Sequence, residues 1–388
     1  MDFTLDQDRQ SIIEAVNRVC AAYPDEYWRE RDRTGTFPEE FVADMAAGGW
    51  LGIALPEDVG GSGLGVLETS LMMRTVAESG AAMQGVSAIH VNLFGPLPLA
   101  LFGTPEQKHH HLPRLISGED RMCFGVTEPN SGLDTSSIQT KAELDGNGYV
   151  INGRKIWTTT AQTANKILLI ARTTPREKCA KPTEGMSLFY TDMNRDFIDA
   201  QVIEKMGRKS VECNTVFIDG LRVPLEDRVG EEGKGFQYLI HGLNPERILF
   251  GIEAVGIGRA ALRKAVQYAK EREVFGRPIG MNQGVQHPLA RSWAELEAAE
   301  LLALKAAALF DANQPCGAEA NAAKLMGSEA GYHACERAIL AHGGMGYAKE
   351  YDVERYFREV MITRIAPVST EMILNFIGER VLGLPRSY

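Results

Sequence analysis

The chain has 388 residues, 44% of them apolar, and a formal net charge of −10. That length suits about two or three domains at the usual ~100–200 residues each, with ample apolar material for their cores. The acidic balance excludes a general nucleic-acid or anionic-membrane surface and points to small-molecule partners, while leaving room for a local basic pocket that takes a phosphorylated ligand.

The opening "MDFTLDQDRQ" is acidic and has no apolar core segment. No stretch reaches the ~18 consecutive apolar residues of a membrane span, so neither export nor anchoring is expected. From Gln7 to about Gly118 the period is helical. "RQSIIEAVNRVCAAY" and "EEFVADMAAGGWLGIAL" space their apolar residues by three and four, with glycine-rich breaks such as "GGSGLG" between segments. Residues 1–120 are therefore predicted as an α-helical domain.

The texture changes near Arg121. "YVINGRKIW", "KILLIAR", "MSLFYTD" and "TVFIDGLRV" read as strands, and the "DGNG", "NG", "PT" and "DG" around them read as tight turns. Residues 121–228 are predicted as a β domain. After "GEEGKGF" the helical period returns. Ile248, Ile252, Val255, Leu262, Val266 and Ala269 mark one face of a long helix, and "ELEAAELLALKAAALF" and "EANAAKLMGSEAGYHACERAIL" supply two more. Residues 229–388 are predicted as a bundle of long antiparallel helices. The six cysteines show no C-x-x-C pair, which indicates reduced thiols, a cytosolic setting and no zinc site.

Several stretches have residue types suited to chemistry. "FGVTEPNSGLD" (124–134) reads alone as a polar linker, and Trp157 in "GRKIWTTT" reads alone as a core tryptophan. "KEREVFGRPIGMNQGVQ" gathers Arg272, Phe275 and Gln283 around a helix break at Gly276 and Pro278. An arginine, an aromatic ring and an amide suit a phosphate joined to a heteroaromatic ring, and equally an ordinary basic helix end. Gly343 and Gly344 in "AHGGMGY" are either a helix C-cap or a place where backbone approaches a pyrophosphate. No strand precedes them and the G-x-G-x-x-G spacing is absent, so nicotinamide binding has no support. His109, His110 and His111 are adjacent on a helix and cannot all face one ion, so no metal site is expected.

Together and in this order, these stretches resemble the acyl-CoA dehydrogenase family, from the first helices to "LGLPRSY" at the end. "TEPNSGLD" is similar to the family's T-E-P-x-x-G-S-D loop, and "KIWTTT" to its W-x-T strand. R-x-x-F-G at Arg272–Gly276 is similar to its flavin-phosphate motif, and "GGMGY" to its G-G-x-G-aromatic turn. The resemblance implies a fold that is mainly α with a β middle domain: an N-terminal helical domain, a middle β-barrel and a C-terminal four-helix bundle. FAD would lie at the junction, in a homotetramer or homodimer. Carried over by position, Thr127 would bond the polar edge of the flavin ring, with Phe124 and Val126 beside it. Trp157 would pack by the ring and Thr159 near N5. Gly132 and Leu133 would meet the pyrophosphate and the thioester arm. Arg272, Phe275, Gln283 and the Gly343–Gly344 turn would reach the FAD of a neighbouring subunit, and Ser369 and Glu371 match the family's T-x-E contacts to the cofactor.

The implied activity is α,β-desaturation of an acyl-CoA thioester, with an electron-transferring flavoprotein as acceptor. That chemistry needs a carboxylate against the α-proton and hydrogen bonds to the developing enolate oxygen. Many members take the base from a C-terminal Y-E-G-T, but here "IAPVSTEM" places Pro367 at the glutamate's position, and proline has no N–H. In the isovaleryl- and long-chain-like members the glutamate precedes an arginine on another helix, a context like "GLNPERILF". Glu246 is thus the expected base, with Asn244, Arg247 and Leu133 expected near the substrate. The bland reading has Asn244 as a cap, Pro245 in a first turn and Glu246 favouring the helix dipole. The chain also departs from the family at Leu133, where a serine is usual, and at Leu340, where glutamine is common. Same-fold alternatives are a flavin oxidase, a monooxygenase or an acyl-carrier-protein desaturase; a relative that binds acyl-CoA or flavin without turnover is the alternative from another class.

Overall fold

The computed structural model describes residues 4–387; residues 1–3 and 388, which open and close the expected first and third domains, lie outside the described residues. The first third is helical: α1 (Gln7–Cys20), α2 (Asp25–Thr34), α3 (Glu39–Ala47), α4 (Val66–Val76), α5 (Ala82–Phe94), α6 (Leu97–Phe102) and α7 (Pro105–Ile116). Asp6 caps α1 by accepting from the Arg9 amide, and Thr104 with Gln107 forms a reciprocal capping box at α7. The periodic stretch "EEFVADMAAGGWLGIAL" is helical only to Ala47, because Gly49 at φ 77° ends it and starts a short 3-10 turn at Trp50–Gly52.

The middle third is one eight-stranded sheet: β1 (Met122–Gly125), β2 (Lys141–Asp145), β3 (Gly148–Thr159), β4 (Lys166–Arg172), β5 (Met186–Asp192), β6 (Ile198–Val202), β7 (Cys213–Pro224) and β8 (Arg228–Val229). The order is β6-β7-β3-β2-β4-β5-β8, with β1 pairing parallel to β4. The unbroken apolar run "ILLIA" in β4 has a simple cause. Alternate residues point to opposite faces, so Ile167, Leu169 and Ala171 fill one core while Leu168 and Ile170 fill another, shared with α5, α6 and α7. The helical third is thus bolted to one face of the sheet.

Two of the expected turns are something else. "DGNG" does close the β2–β3 hairpin, with Gly146 at φ 60°. "NG" (152–153) and "DG" (219–220) instead lie inside β3 and β7, where the register shifts between Ile151 and Gly153. Asn152 Oδ1 accepts from the Gly220 amide at 2.8 Å, so the two pairs form a braced bulge between long strands.

The last third is built on α9 (Leu243–Glu271), reached through α8 (Gly235–His241). A small hairpin, β9 (Glu273–Val274) and β10 (Arg277–Pro278), leads into α10 (Gln283–Asp311) and α11 (Gly317–His342). Short helices α12 (Val353–Val360), α13 (Ile362–Ile365) and α14 (Thr370–Phe376) follow. The expected face of α9 is buried at Ile248, Ile252, Val255, Leu262 and Ala269 and half-buried at Val266. This helix packs on α10 and α11 and also on α4 and α5, so it joins the first and last thirds. Two apolar stretches are long enough on composition to cross a membrane. Val66–Phe102 is mostly packed inside the protein, whereas Val353–Val381 keeps most of its apolar window at the surface.

The α9–α11 crossing is close because glycines face backbone there. A Cβ at Gly327 would strike the Gly251 carbonyl, and one at Gly331 the Ala254 carbonyl. Neither obstacle is a flexible side chain. Gly327→Ala should therefore lower stability by about 1–3 kcal/mol through overpacking. Thermal unfolding checks this; a melting temperature equal to wild type would show that the helices can part without cost.

Candidate active site

Only Gly242 separates α8 from α9, so α9 begins abruptly and presents Asn244, Pro245 and Glu246 in its first turn. Asn244 is not the cap: Gly242 holds that position, and Asn244 Oδ1 accepts from Arg247 Nη1 at 2.9 Å, while its Nδ2 lies 3.7 Å from Cys316 Sγ. Arg247 Nε is buried without a partner, and burial lowers the guanidinium's pKa, with Glu246 opposing. The Glu246 carboxyl has no hydrogen bond or ion pair among the described residues, so it caps nothing. It keeps part of its surface open while protein surrounds it, as on the floor of a recess. Desolvation raises its pKa to about 7; His90 and Arg247 pull it back and Glu253 adds to the rise. A carboxyl balanced near neutrality can take a proton and give it up again.

The same stripe of α9 presents Phe250 and Glu253, four and seven residues on. Phe250 lies edge-on to His90 of α5, ring centroids 4.9 Å apart, and His90 Nδ1 lies 2.6 Å from Glu253 Oε1. Phe94, one turn after His90, contacts the His90 ring at 4.9 Å and Phe124 of β1 at 5.4 Å. An aromatic wall thus runs from the expected cofactor loop to the expected base. The sequence reading missed His90 and Glu253. The glutamate's helical offset from Glu246 was the available signal; the histidine, in the buried run "SAIHVNLF", had none.

The "TEPNSGLD" loop is a clamp rather than a free linker. The Ile156 amide donates to Thr127 O at 2.9 Å, and buried Lys155 Nζ donates to Val126 O at 3.2 Å and Glu128 Oε1 at 2.9 Å. Glu128 also accepts from the amides of Gln139 at 2.6 Å and Thr140 at 2.9 Å, which folds the loop back on itself. β3 loses register between Lys155 and Thr158. Trp157 there takes φ 60° and remains 54% exposed, so it is not a core residue. A large ring held outward on strained backbone calls for a partner surface. Thr159 beside it is half-buried, and Gly132 and Leu133 are exposed at the loop tip.

A second group gathers at the far end of α9. Arg272, Gly343 and Gly344 line a cavity of about 440 Å³ with Tyr268, Val274, Leu340, His342 and Met345. The Arg272 guanidinium has no partner among the described residues, and nothing lies within 4 Å of where a Cβ would sit at Gly343 or Gly344. Phe275 is fully exposed at φ 54°, and Gln283 opens α10 on the surface. An unpaired guanidinium, open glycine backbone and bare aromatic rings fit a phosphate-bearing flavin. No hydrogen bond, ion pair or ring contact joins this group to the Trp157 group among the described residues. Ser369 caps α14 by accepting from the Met372 amide at 3.4 Å, and Glu371 is exposed. Pro367 follows a cis peptide bond. Of the three adjacent histidines, His109 Nδ1 lies 2.8 Å from Pro105 O, while His110 meets the His111 ring edge-on at 4.7 Å and His111 packs on Tyr190 at 4.8 Å.

The sequence matches the family profiles described as "Acyl-CoA dehydrogenase, N-terminal domain" over residues 6–119, "middle domain" over 123–221 and "C-terminal domain" over 233–382. Acyl-CoA dehydrogenase FadE12 of Mycobacterium tuberculosis is 36% identical over 100% of this chain and 99% of its own. Caffeyl-CoA reductase-Etf complex subunit CarC of Acetobacterium woodii is 34% identical over 87% of this chain and 88% of its own. The structure of butyryl-CoA dehydrogenase from Megasphaera elsdenii superposes with a TM-score of 0.93 at 30% identity, covering 98% of this chain and 100% of that one.

The raised carboxyl also has a stability signature. Between the ordinary carboxylate range and about 7, the folded protein binds the Glu246 proton more tightly than the unfolded chain does. Stability therefore falls as pH rises through that window, and above it the cost is complete. Glu246→Gln removes a cost of up to about 3 kcal/mol, so the variant should melt above wild type at pH 8 and close to it at pH 5. Melting curves at the two pH values test this; an equal difference at both would mean the carboxyl is not desolvated.

Proposed function

This chain belongs to the acyl-CoA dehydrogenase family, and on that footing we propose that Glu246 is the general base of its reaction. The enzyme is an FAD-dependent acyl-CoA dehydrogenase, an oxidoreductase acting on a CH–CH group. The observation that carries the assignment is the unpartnered, raised carboxyl of Glu246 at the end of an aromatic wall, combined with a proline at the family's other base position.

Glu246 takes the proton from the carbon next to the thioester carbonyl as the β-hydride leaves, so two C–H bonds break and the Cα–Cβ double bond forms. FAD, when bound, accepts that hydride. Thr127, Trp157 and Thr159 with Phe124 and Val126 would hold the ring. Gly132 and Leu133 would meet the pyrophosphate and thioester arm, and Arg272, Phe275, Gln283, Gly343, Gly344, Ser369 and Glu371 the rest of the cofactor. Phe94, Phe124 and Phe250 exclude water, so the carboxylate meets a weak carbon acid undiluted by solvent. Pro367 cannot donate to the enolate oxygen, but the Val368 amide has no hydrogen-bond partner among the described residues and takes that task. Asn244 fixes the Arg247 guanidinium beside the base and the substrate.

Placement of the base as in isovaleryl- and long-chain-like members supports branched or longer acyl groups. Electron-transferring flavoprotein is the acceptor, in keeping with the Etf complex to which one relative belongs. We place the domain boundaries at 120/121 and 228/229, read the sheet as a barrel and the last third as a four-helix bundle, and assign the enzyme to the cytoplasm. A homotetramer or homodimer brings the Arg272 group to a neighbour's flavin, and the exposed apolar surface of Val353–Val381 suits such contacts.

Glu246→Gln should keep its FAD and bind acyl-CoA, yet slow anaerobic bleaching of the flavin by about 10²–10⁴-fold. Stopped-flow absorbance over a panel from butyryl- to palmitoyl-CoA with isovaleryl-CoA decides this. Bleaching at the wild-type rate would remove Glu246 from the chemistry, and rapid reoxidation by oxygen with peroxide release in wild type would mark an oxidase. Arg272→Gln should weaken FAD retention by about tenfold or more through loss of a charged hydrogen bond; equilibrium dialysis of the flavin checks it, and unchanged retention would contradict the role.

A further inference from the structure

His90 and Glu253 form a buried pair that the reaction as described does not use. Their side chains are 7% and 0% exposed, and the contact is 2.6 Å. Each keeps one polar atom without a partner, His90 Nε2 and Glu253 Oε2. Burying two ionisable groups in an aromatic wall is costly, and a neutral filling of the same volume would serve packing as well or better. The pair therefore asks for a reason other than stability.

Its position supplies one. Glu246, Phe250 and Glu253 share one stripe of α9, and His90 reaches that stripe from α5 with Phe250 edge-on to its ring. The pair is thus a dipole laid along the approach to the base. Of the charges acting on Glu246, His90 pulls more strongly than Glu253 pushes, so the pair's net effect favours the carboxylate. Arg247 also pulls on Glu246 while giving Nη1 to Asn244, and Arg208 is engaged with Ser87 Oγ at 3.0 Å and Cys213 Sγ at 2.9 Å. Lys324 on α11 stands among Glu329, Glu371, Arg364 and Arg247, and Cys316 lies by Asn244.

We propose that His90, held as an imidazolium by Glu253, is a positioning residue that lowers the pH at which Glu246 ionises and so sets the lower pH limit of the reaction. The proposal rests on Glu246 being the base. Without the imidazolium, only Arg247 opposes desolvation at the carboxyl, which then binds its proton more tightly. Activity that rises with pH through the base's ionisation would begin its rise later.

The test is the pH dependence of anaerobic flavin bleaching in the holoenzyme, with the thioester of the panel that bleaches wild type fastest. His90→Leu alone strands the Glu253 charge, so the informative protein is the double variant His90→Leu with Glu253→Leu, which removes the pair together. Its acid limb should move up by about one pH unit, giving roughly tenfold slower bleaching at pH 6.5 and near recovery by pH 8.5. In wild type labelled with ¹⁵N-histidine, one imidazole should stay doubly protonated across the limb, a readout that does not depend on turnover or on the variant's folding. An unmoved limb in a folded double variant, or no imidazole protonated across the limb, overturns the proposal. If Glu246→Gln bleaches like wild type, the base assignment itself falls; if that variant is dead while the double variant's limb stays in place, only the role of the pair falls.

Discussion

The structure turns on one carboxyl that protein has surrounded and left without a hydrogen-bond donor. Such a group is normally driven to the surface or paired, since an unpaired charge away from water is among the costlier features a fold can contain. Gly242 is the whole connection between α8 and α9, and Asn244 is occupied with Arg247, so Glu246 stands in a first turn whose neighbours leave it unpaired. On the proposed assignment the cost serves the reaction: a well-solvated carboxylate would be too weak a base for an α-carbon, and a fully paired one would be fixed in its charge.

Because α9 is the helix that joins the first and last thirds, it governs more than the base. Its first turn carries Glu246, its middle is locked to α11 by facing glycines, and its end delivers Arg272 to the cavity beside Gly343. A helix held that rigidly fixes the separation of its two ends, the proposed thioester end and the proposed phosphate end. The sheet contributes through β1 and β3. Lys155 and Glu128 pin the loop that carries Thr127, and the slip in β3 turns Trp157 outward beside it.

Much of this was legible in the residues. Helical periods marked the outer thirds, and the apolar run of β4 marked a strand, though not that both its faces are covered. The resemblance carried by "TEPNSGLD", "KIWTTT" and "GGMGY" drew notice to Leu133, Trp157 and the Gly343–Gly344 turn, which the fold leaves exposed. The misses have physical causes. "NG" and "DG" use the same residues whether the chain reverses or bulges, and only the partner strand decides, so the braced bulge at Asn152 and Gly220 read as two turns. Asn244 has the chemistry of a cap, but α8 ends so close that Gly242 takes that place. His90 looks like any polar residue in a buried helix, because what distinguishes it is a glutamate 163 positions away. Whether the Arg272 group meets a neighbour's flavin, as proposed, is a property of an assembly and not of one chain.

The central claim is that Glu246 removes the α-proton, and that step can be watched apart from electron transfer. A 3-thia acyl-CoA retains an acidic α-carbon but has no β-hydrogen to lose, so in D₂O its α-hydrogens exchange only as fast as the enzyme's base takes and returns them. Mass spectrometry of the recovered thioester reads the exchange. Rapid deuterium uptake with wild type and none above background with Glu246→Gln is the predicted result; uptake at the wild-type rate in that variant would contradict it.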